Sequence, residues 1–289
     1  QSEFLSSHDN WFRPVQVRTG PDGALYVVDM YRQVIEHPEY ISKETQAKLN
    51  LRAGDDKGRI YRVVPVHGEL RSVPKLNELS TADLVTQLES PNGTLRDMAH
   101  QLLVERAGNT LVEPLRNLLR TSVSPQTRLH ALNILEGLNA LTADDLAIAL
   151  AHESSGLRRN AIRLAAAQTN DSPELGDAML KSLDDPDALV RMELVYALGE
   201  WNDPRAASAI AQRIEHDKPD SYLGMALLSS LNASNVRALT PSLLAWAASD
   251  DAASEPRDQV IPPAVGVAIA ANDAETLAVM ATDIAKHDQ

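Results

Sequence analysis

Apolar and polar positions follow two different periods along this 289-residue chain. Near the N-terminus they alternate: Val15 and Val17, then Leu25 and Val27, then a third run through Ile60, Tyr61, Val63 and Val64. That is the period of a strand with one covered face. From Leu79 onward apolar residues recur every three or four positions, the period of a helix with one buried stripe. The change of period predicts two domains, a strand segment and linker over 1–73 and a helical region over 74–289.

Between the first two strands, TGPDG supplies Pro21 with a preset turn dihedral and Gly23 for a left-handed one, which predicts a hairpin. Pro65 limits further ladder bonding after the third strand. The polar stretch from Glu36 to Ala53 is expected to hold a short helix from Ser42 to Leu49. Three strands are too few for an independent core, so they are expected to fold back on the helices or to borrow strands from a neighbour.

The helical region repeats. LRDMAHQLLVER from Leu95, TRLHALNILEGL from Thr127, LRRNAIRLAAAQ from Leu157 and VRMELVYALGEW from Val190 superimpose with Arg96, Arg128, Arg158 and Arg191 in register. The intervals are 32, 30 and 33 residues, and a further 33 reaches Gly224 in LGMALLSSLNA. Such a unit holds two helices and two turns, and neither helix buries its stripe until the next unit covers it. First helices are expected at Ala82–Leu88, Leu111–Leu119, Ala143–Ala151, Leu175–Leu183 and Ala206–Ile214. Ser80 and Thr142, each with an aspartate three residues on, read as helix caps, and Pro91, Pro125, Pro173 and Pro204 mark turns. Small residues at Ala99, Ala131 and Ala161 admit close helix approach. The last region predicts three more helices joined by the acidic connector DDAASEPRD. There, Pro262 and Pro263 are expected to begin a helix and not to lie inside one.

In length and layout these units resemble HEAT-type repeats. DDPDALVRMELVYALG, residues 184–199, is the nearest match, with Asp187 and Arg191 at the acid and arginine positions that support contacts between neighbouring repeats in that family. Earlier units depart from it, since Ser124 stands four before Arg128 where the pattern has an acid. The expected fold is therefore mainly α: a right-handed α-α superhelix of the HEAT/armadillo-like kind, about six helical pairs long, with a small N-terminal β segment. The aligned arginines are expected to serve packing and repeat-to-repeat ion pairing.

HDNWFRPVQVRTGPDGALYVVDMYR, from His8, and KGRIYRVVP, from Lys57, resemble the last part of the β-propeller in the membrane-bound dehydrogenase-like proteins of planctomycete-type bacteria, relatives of the glucose/sorbosone dehydrogenases. That resemblance implies a larger parent, periplasmic or membrane-associated, in which a helical repeat region and often a haem-binding cytochrome domain follow the propeller. It further implies pyrroloquinoline quinone and haem as cofactors of the parent, with Arg13 and Asp29 facing the propeller's central pocket. One blade's worth of strands does not close such a channel, and the chain is read as a piece of that parent with no cofactor of its own.

Charge and candidate chemistry change this picture little. Residues 1–73 carry 10 acidic and 10 basic side chains, so the net charge of -13 falls wholly on the later region, with 30 and 17. An acidic surface repels a phosphate backbone, which argues against nucleic acid and anionic membranes. With no cysteine there is no thiolate, disulfide or CxxCH haem attachment, and no apolar run is long enough to span a bilayer or serve as a signal peptide. The eight histidines are scattered without HExxH spacing, Glu36, His37 and Glu39 read as a solvated loop, and the aspartates of SLDDPDALV read as caps. No catalytic or metal constellation is expected. The reading is a noncatalytic scaffold or protein-interaction module that holds other domains of the parent, or another protein. Two further readings are an accessory part of a quinone-dependent sugar or alcohol dehydrogenase, and an acidic array that binds a basic protein with strong salt dependence.

Overall fold

The computed structural model describes residues 3–106, 108–217, 221–248 and 256–287. The chain forms two compact units, Gln1–Arg106 and Ala107–Gln289. The first therefore contains the strands and also the first helical pair, reaching beyond the change of period at 73/74.

In the first unit, β1 (Pro14–Thr19), β2 (Leu25–Asp29) and β3 (Arg59–Val63) form an antiparallel sheet in that order. The register sets Val17 opposite Val27 and Val27 opposite Tyr61, so the central strand alone is well covered. Gly23, at φ 84°, closes the β1–β2 turn as its sequence requires. The short α1 (Lys43–Gln46) is capped by Ser42 and ends sooner than its sequence suggests. Further on, Gly54 at φ 92° passes so close to the Tyr31 carbonyl that a Cβ has no room there, in the turns that lead to β3. Two helices complete the unit, α2 (Thr81–Gln87), capped by Ser80, and α3 (Gly93–Glu105), capped by Asn92. Asn92 Nδ2 donates to the Gly20 and Pro21 carbonyls at 2.8 and 3.1 Å, and Thr94 Oγ1 donates to the Thr19 carbonyl at 2.8 Å. The hairpin is thus folded back onto the start of α3. Arg106 clamps the pair by donating to the Leu79 and Asn77 carbonyls.

The second unit is helical throughout its described residues: α4 (Val112–Thr121), α5 (Pro125–Gly137), α6 (Ala143–Leu150), α7 (Ser155–Ala166), α8 (Pro173–Leu180), α9 (Ala188–Glu200), α10 (Pro204–Asp217), α11 (Ser221–Ser229), α12 (Val236–Ala247), α13 (Pro256–Ala270) and α14 (Ala274–His287). Odd-numbered helices stack in one row, α5 on α7, α7 on α9, α9 on α11 and α11 on α13. Even-numbered ones form a second row, with α4 on α6, α6 on α8, α10 on α12 and α12 on α14. Between the rows lies a core of leucine, isoleucine and alanine, including Leu115, Leu132, Leu135, Leu146, Ile162, Leu194 and Ile210, each fully buried. Each such large side chain contributes about 1.5–3 kcal/mol. Thr142 and Asp145 form a reciprocal capping box at α6, so aspartate substitutes here for the usual glutamate. Asn139 and Asn272, at φ 54° and 53°, adopt the left-handed geometry that ends α5 and α13.

Pro262 and Pro263 lie inside α13, contrary to expectation, and Pro241 lies inside α12. All three prolines are exposed, while Val260, Ile261, Ala264 and Ala268 of α13 are buried. Burial outweighs the local penalty of about 3 kcal/mol for an interior proline. Most of the connector DDAASEPRD lies outside the described residues.

Candidate functional site

The aligned arginines share one geometry. Arg96, Arg128, Arg158 and Arg191 each donate to the carbonyl six residues upstream, on Ser90, Ser122, His152 and Asp185, at 2.7, 2.6, 2.8 and 2.7 Å. Each fastens the turn that precedes its own helix. Arg158 also reaches across to the next repeat, gripping Asp185 through Nε and Nη2 at 2.6 and 2.8 Å, with both side chains largely buried. Burial pushes the Asp185 carboxyl up, but the Arg158 guanidinium and the Asp187 amide outweigh it and hold the group below the usual carboxylate value. In the other row, Arg116 of α4 links to the buried Asp145 of α6 at 3.1 Å. Asp187 caps α9 by accepting from the Leu189 and Val190 amides, and the Ser155 hydroxyl heads the contacts that lower its pKa. The bidentate acid between repeats is Asp185, two residues before the position the repeat pattern marks.

Arg13 and Asp29 come together through backbone. Asp29 Oδ1 is buried and accepts from the Arg13 and Tyr31 amides at 2.8 and 2.9 Å, while its Oδ2 faces Arg59 Nε at 3.8 Å. The Arg13 guanidinium donates to the Phe12 and Asn10 carbonyls. Trp11 packs on Tyr31, Phe12 on Tyr61, and Arg59 covers the Tyr31 ring at 3.7 Å. Both candidate groups are thereby engaged in holding the strand ends. His37 caps the short turn Pro38–Tyr40. Among the described residues no group of three metal-ligating side chains converges, and no helix is long and apolar enough to cross a membrane.

Sequence reading missed a cleft of about 410 Å³ lined by the ends of α7, α9 and α11. Glu193, Tyr196 and Glu200 present one side from α9, Arg163 and Ala166 another from α7, and Ser229 to Asn232 the third. Tyr196 is 39% exposed. Helices α9 and α11 also expose Leu189, Tyr222 and Met225. Asn133 Nδ2 bridges α5 to α7 by donating to Asn160 Oδ1 at 3.0 Å. The signal that finds this surface in the sequence is variation: five residues after the repeated arginine stand Gln101, Asn133, Arg163 and Tyr196 in turn.

These features define a helical repeat protein of the HEAT/armadillo-like class with a small N-terminal sheet. Residues 143–232 match the HEAT repeats, and residues 1–67 match a domain of unknown function (DUF7133). No curated protein matches the chain. Among solved structures, the chain is similar to a designed armadillo repeat protein at 18% identity and TM-score 0.42, covering 65% of this chain and 99% of that one. It is also similar to a designed armadillo repeat protein in complex with the peptide (KR)4, at 17% identity and TM-score 0.44, again covering 65% and 99%.

Proposed function

We propose that the chain is a noncatalytic scaffold whose helical array docks a protein partner along the row α5, α7, α9 and α11. The observation that carries this is the contrast within that row: a repeated arginine fixes α5, α7 and α9 and a buried apolar stripe seats each helix, while the outward positions change from repeat to repeat and expose Leu189, Tyr196, Tyr222 and Met225. Scattered exposed apolar residues are ordinary, whereas aromatic and methionine side chains gathered on one ordered face are the composition of an interface. A photo-crosslinking amino acid placed at Tyr196 or Tyr222 is expected to label a protein in an extract of the source cells, and one placed at Glu174 on α8 is not. Equal labelling from both rows, or none from either, refutes the reading.

The partner on this proposal is another domain of a longer parent chain or a separate protein. Residues 8–32 and 57–65 carry the resemblance that supports a dehydrogenase-like parent, with the quinone and haem chemistry in other domains. The engagement of Arg13 and Asp29 by backbone groups supports keeping the cofactor site out of this chain. Calorimetric titration of the folded chain with pyrroloquinoline quinone, with and without calcium, tests it: no heat of binding is expected, and saturable one-to-one binding would place the site at Arg13 and Asp29.

A further inference from the structure

We infer that the cleft between the ends of α7, α9 and α11 takes a lysine- or arginine-bearing segment of the partner, with the cation between Glu193 and Glu200 and its aliphatic stem on Tyr196. The inference rests on the docking reading above and names the partner's chemistry. It begins with the helix ends. The cleft takes in the C-terminal ends of α7, α9 and α11, where the aligned peptide dipoles leave partial negative charge of about half an electron each, and Glu193 and Tyr196 enter it from the body of α9. α7 already carries its own cation in its last turn, Arg163, whose Nη2 lies 3.5 Å from Asn133 Oδ1. The last turns of α9 and α11 hold no basic residue.

Two carboxylates deepen this field. Glu193 and Glu200 are seven residues apart on α9, hence on one face, with Tyr196 between them. Neither carboxylate has an ion-pair partner among the described residues, whereas the framework acids Asp145, Asp185, Asp203 and Asp273 are all held by arginines. The paired acids stabilise the fold, and these two are left for a ligand. An acidic segment would meet two like charges and two negative helix ends, and an apolar one would strip water from Glu193 and Glu200 without return. A basic side chain satisfies both, because its methylene stem covers the tyrosine ring while its head stays near the rim. The surplus of acidic side chains over residues 74–289, 30 against 17 basic, steers such a segment toward the array.

The test uses the full chain and a fluorescent peptide of alternating lysine and alanine, with a glutamate–alanine peptide as its counterpart. Anisotropy is expected to show saturable one-site binding of the lysine peptide, weakening steeply with salt, and none of the glutamate peptide. Glu193→Gln with Glu200→Gln is expected to weaken binding by about tenfold or more, and Tyr196→Ala by several-fold. Glu174→Gln, which removes an exposed charge from the other row, is expected to leave it unchanged. Circular dichroism checks that each variant is folded. Absence of binding, equal binding of both peptides, or binding that survives the double Gln variant overturns the inference, the last because it marks diffuse attraction to an acidic surface. A crosslink at Tyr196 without lysine-peptide binding refutes the cation alone, while failure of both refutes the docking surface itself.

Discussion

Gly176→Ala sets two physical effects against each other, and the structure decides which wins. Gly176 lies inside α8, where alanine in an ordinary helix interior gains about 1 kcal/mol. Here the neighbouring atoms reverse that sign. A Cβ on Gly176 would overlap Cζ2 and Cη2 of Trp201 and lie 2.6 Å from its Cε2. The obstacle is a rigid ring, 5% exposed, at the end of α9 with the Arg205 guanidinium 4.8 Å from its centroid. Forcing an atom into such packing costs about 1–3 kcal/mol, and the upper half of that range applies because the ring has little freedom to swing away. After the propensity gain, the net loss is about 1–2 kcal/mol. For a domain of this size that lowers the thermal midpoint by roughly 2–8 °C. The assay is thermal and guanidinium melting followed by circular dichroism, on four proteins that form a cycle: wild type, Gly176→Ala, Trp201→Phe, and both together. Phenylalanine lacks the outer ring atoms, so in that background Gly176→Ala should be neutral or stabilising. A single Gly176→Ala variant that melts at or above wild type refutes the reasoning, as does a loss that persists unchanged in the Trp201→Phe background.

Three further outcomes are expected. Asp185→Asn keeps an acceptor for the Asp187 amide but removes the charge that holds Arg158, so it should cost about 2–3 kcal/mol in denaturant melts. A loss below about 0.5 kcal/mol counts against the buried pair. Asn92→Ala removes the α3 cap and two bonds to the hairpin turn, and hydrogen exchange should quicken through β1 and β2. Unchanged exchange there contradicts the tether. The Asp203 carboxyl is held down at about 2, chiefly by hydrogen bonds from the Arg205 side chain and then by its amide. A depressed folded-state value stabilises above the unfolded pKa and loses that contribution as pH falls through the folded one, so the urea-midpoint gap between wild type and Arg205→Met should be constant above about pH 5 and close toward pH 2. A gap that persists at about pH 2 removes the ion pair as its cause.

The rows, the repeat interval and the caps were legible because each follows from local chemistry. A buried stripe fixes the period, and a hydroxyl or amide side chain at the boundary fixes the start. What stayed hidden depends on atoms distant in sequence. Asp185 and Asp187 both cap turns on sequence grounds, and only the approach of α7 decides that Asp185 takes Arg158. Pro262 and Pro263 break a helix by local rule, yet α13 continues because its other face is buried. Arg13 and Asp29 were grouped by resemblance, and their grouping in space runs through main-chain amides that composition does not reveal. The cleft had no motif, since the acids and tyrosine of α9 meet Arg163 of α7 and the polar rim at 229–232 only in the fold.

The repeat itself separates framework from surface without reference to any other protein. Three residues after the aligned arginine stand Ala99, Ala131, Ala161 and Leu194, and seven after it stand Leu103, Leu135, Ala165 and Leu198, all buried. Those positions tolerate only apolar side chains, because each fills the seam between helices. Two residues after it stand Met98, His130, Asn160 and Glu193, and nine after it Glu105, Gly137, Ala167 and Glu200, none of them buried. Substitution at such outward sites shifts stability by about 0.5 kcal/mol or less, so selection on the fold leaves them open. The arginines are the most regular residues of the chain, and their regularity follows from a structural task repeated at every turn. On the proposed docking reading, recognition belongs where the repeat departs from itself, and in the described helices that departure places two unpaired carboxylates and an exposed tyrosine on α9.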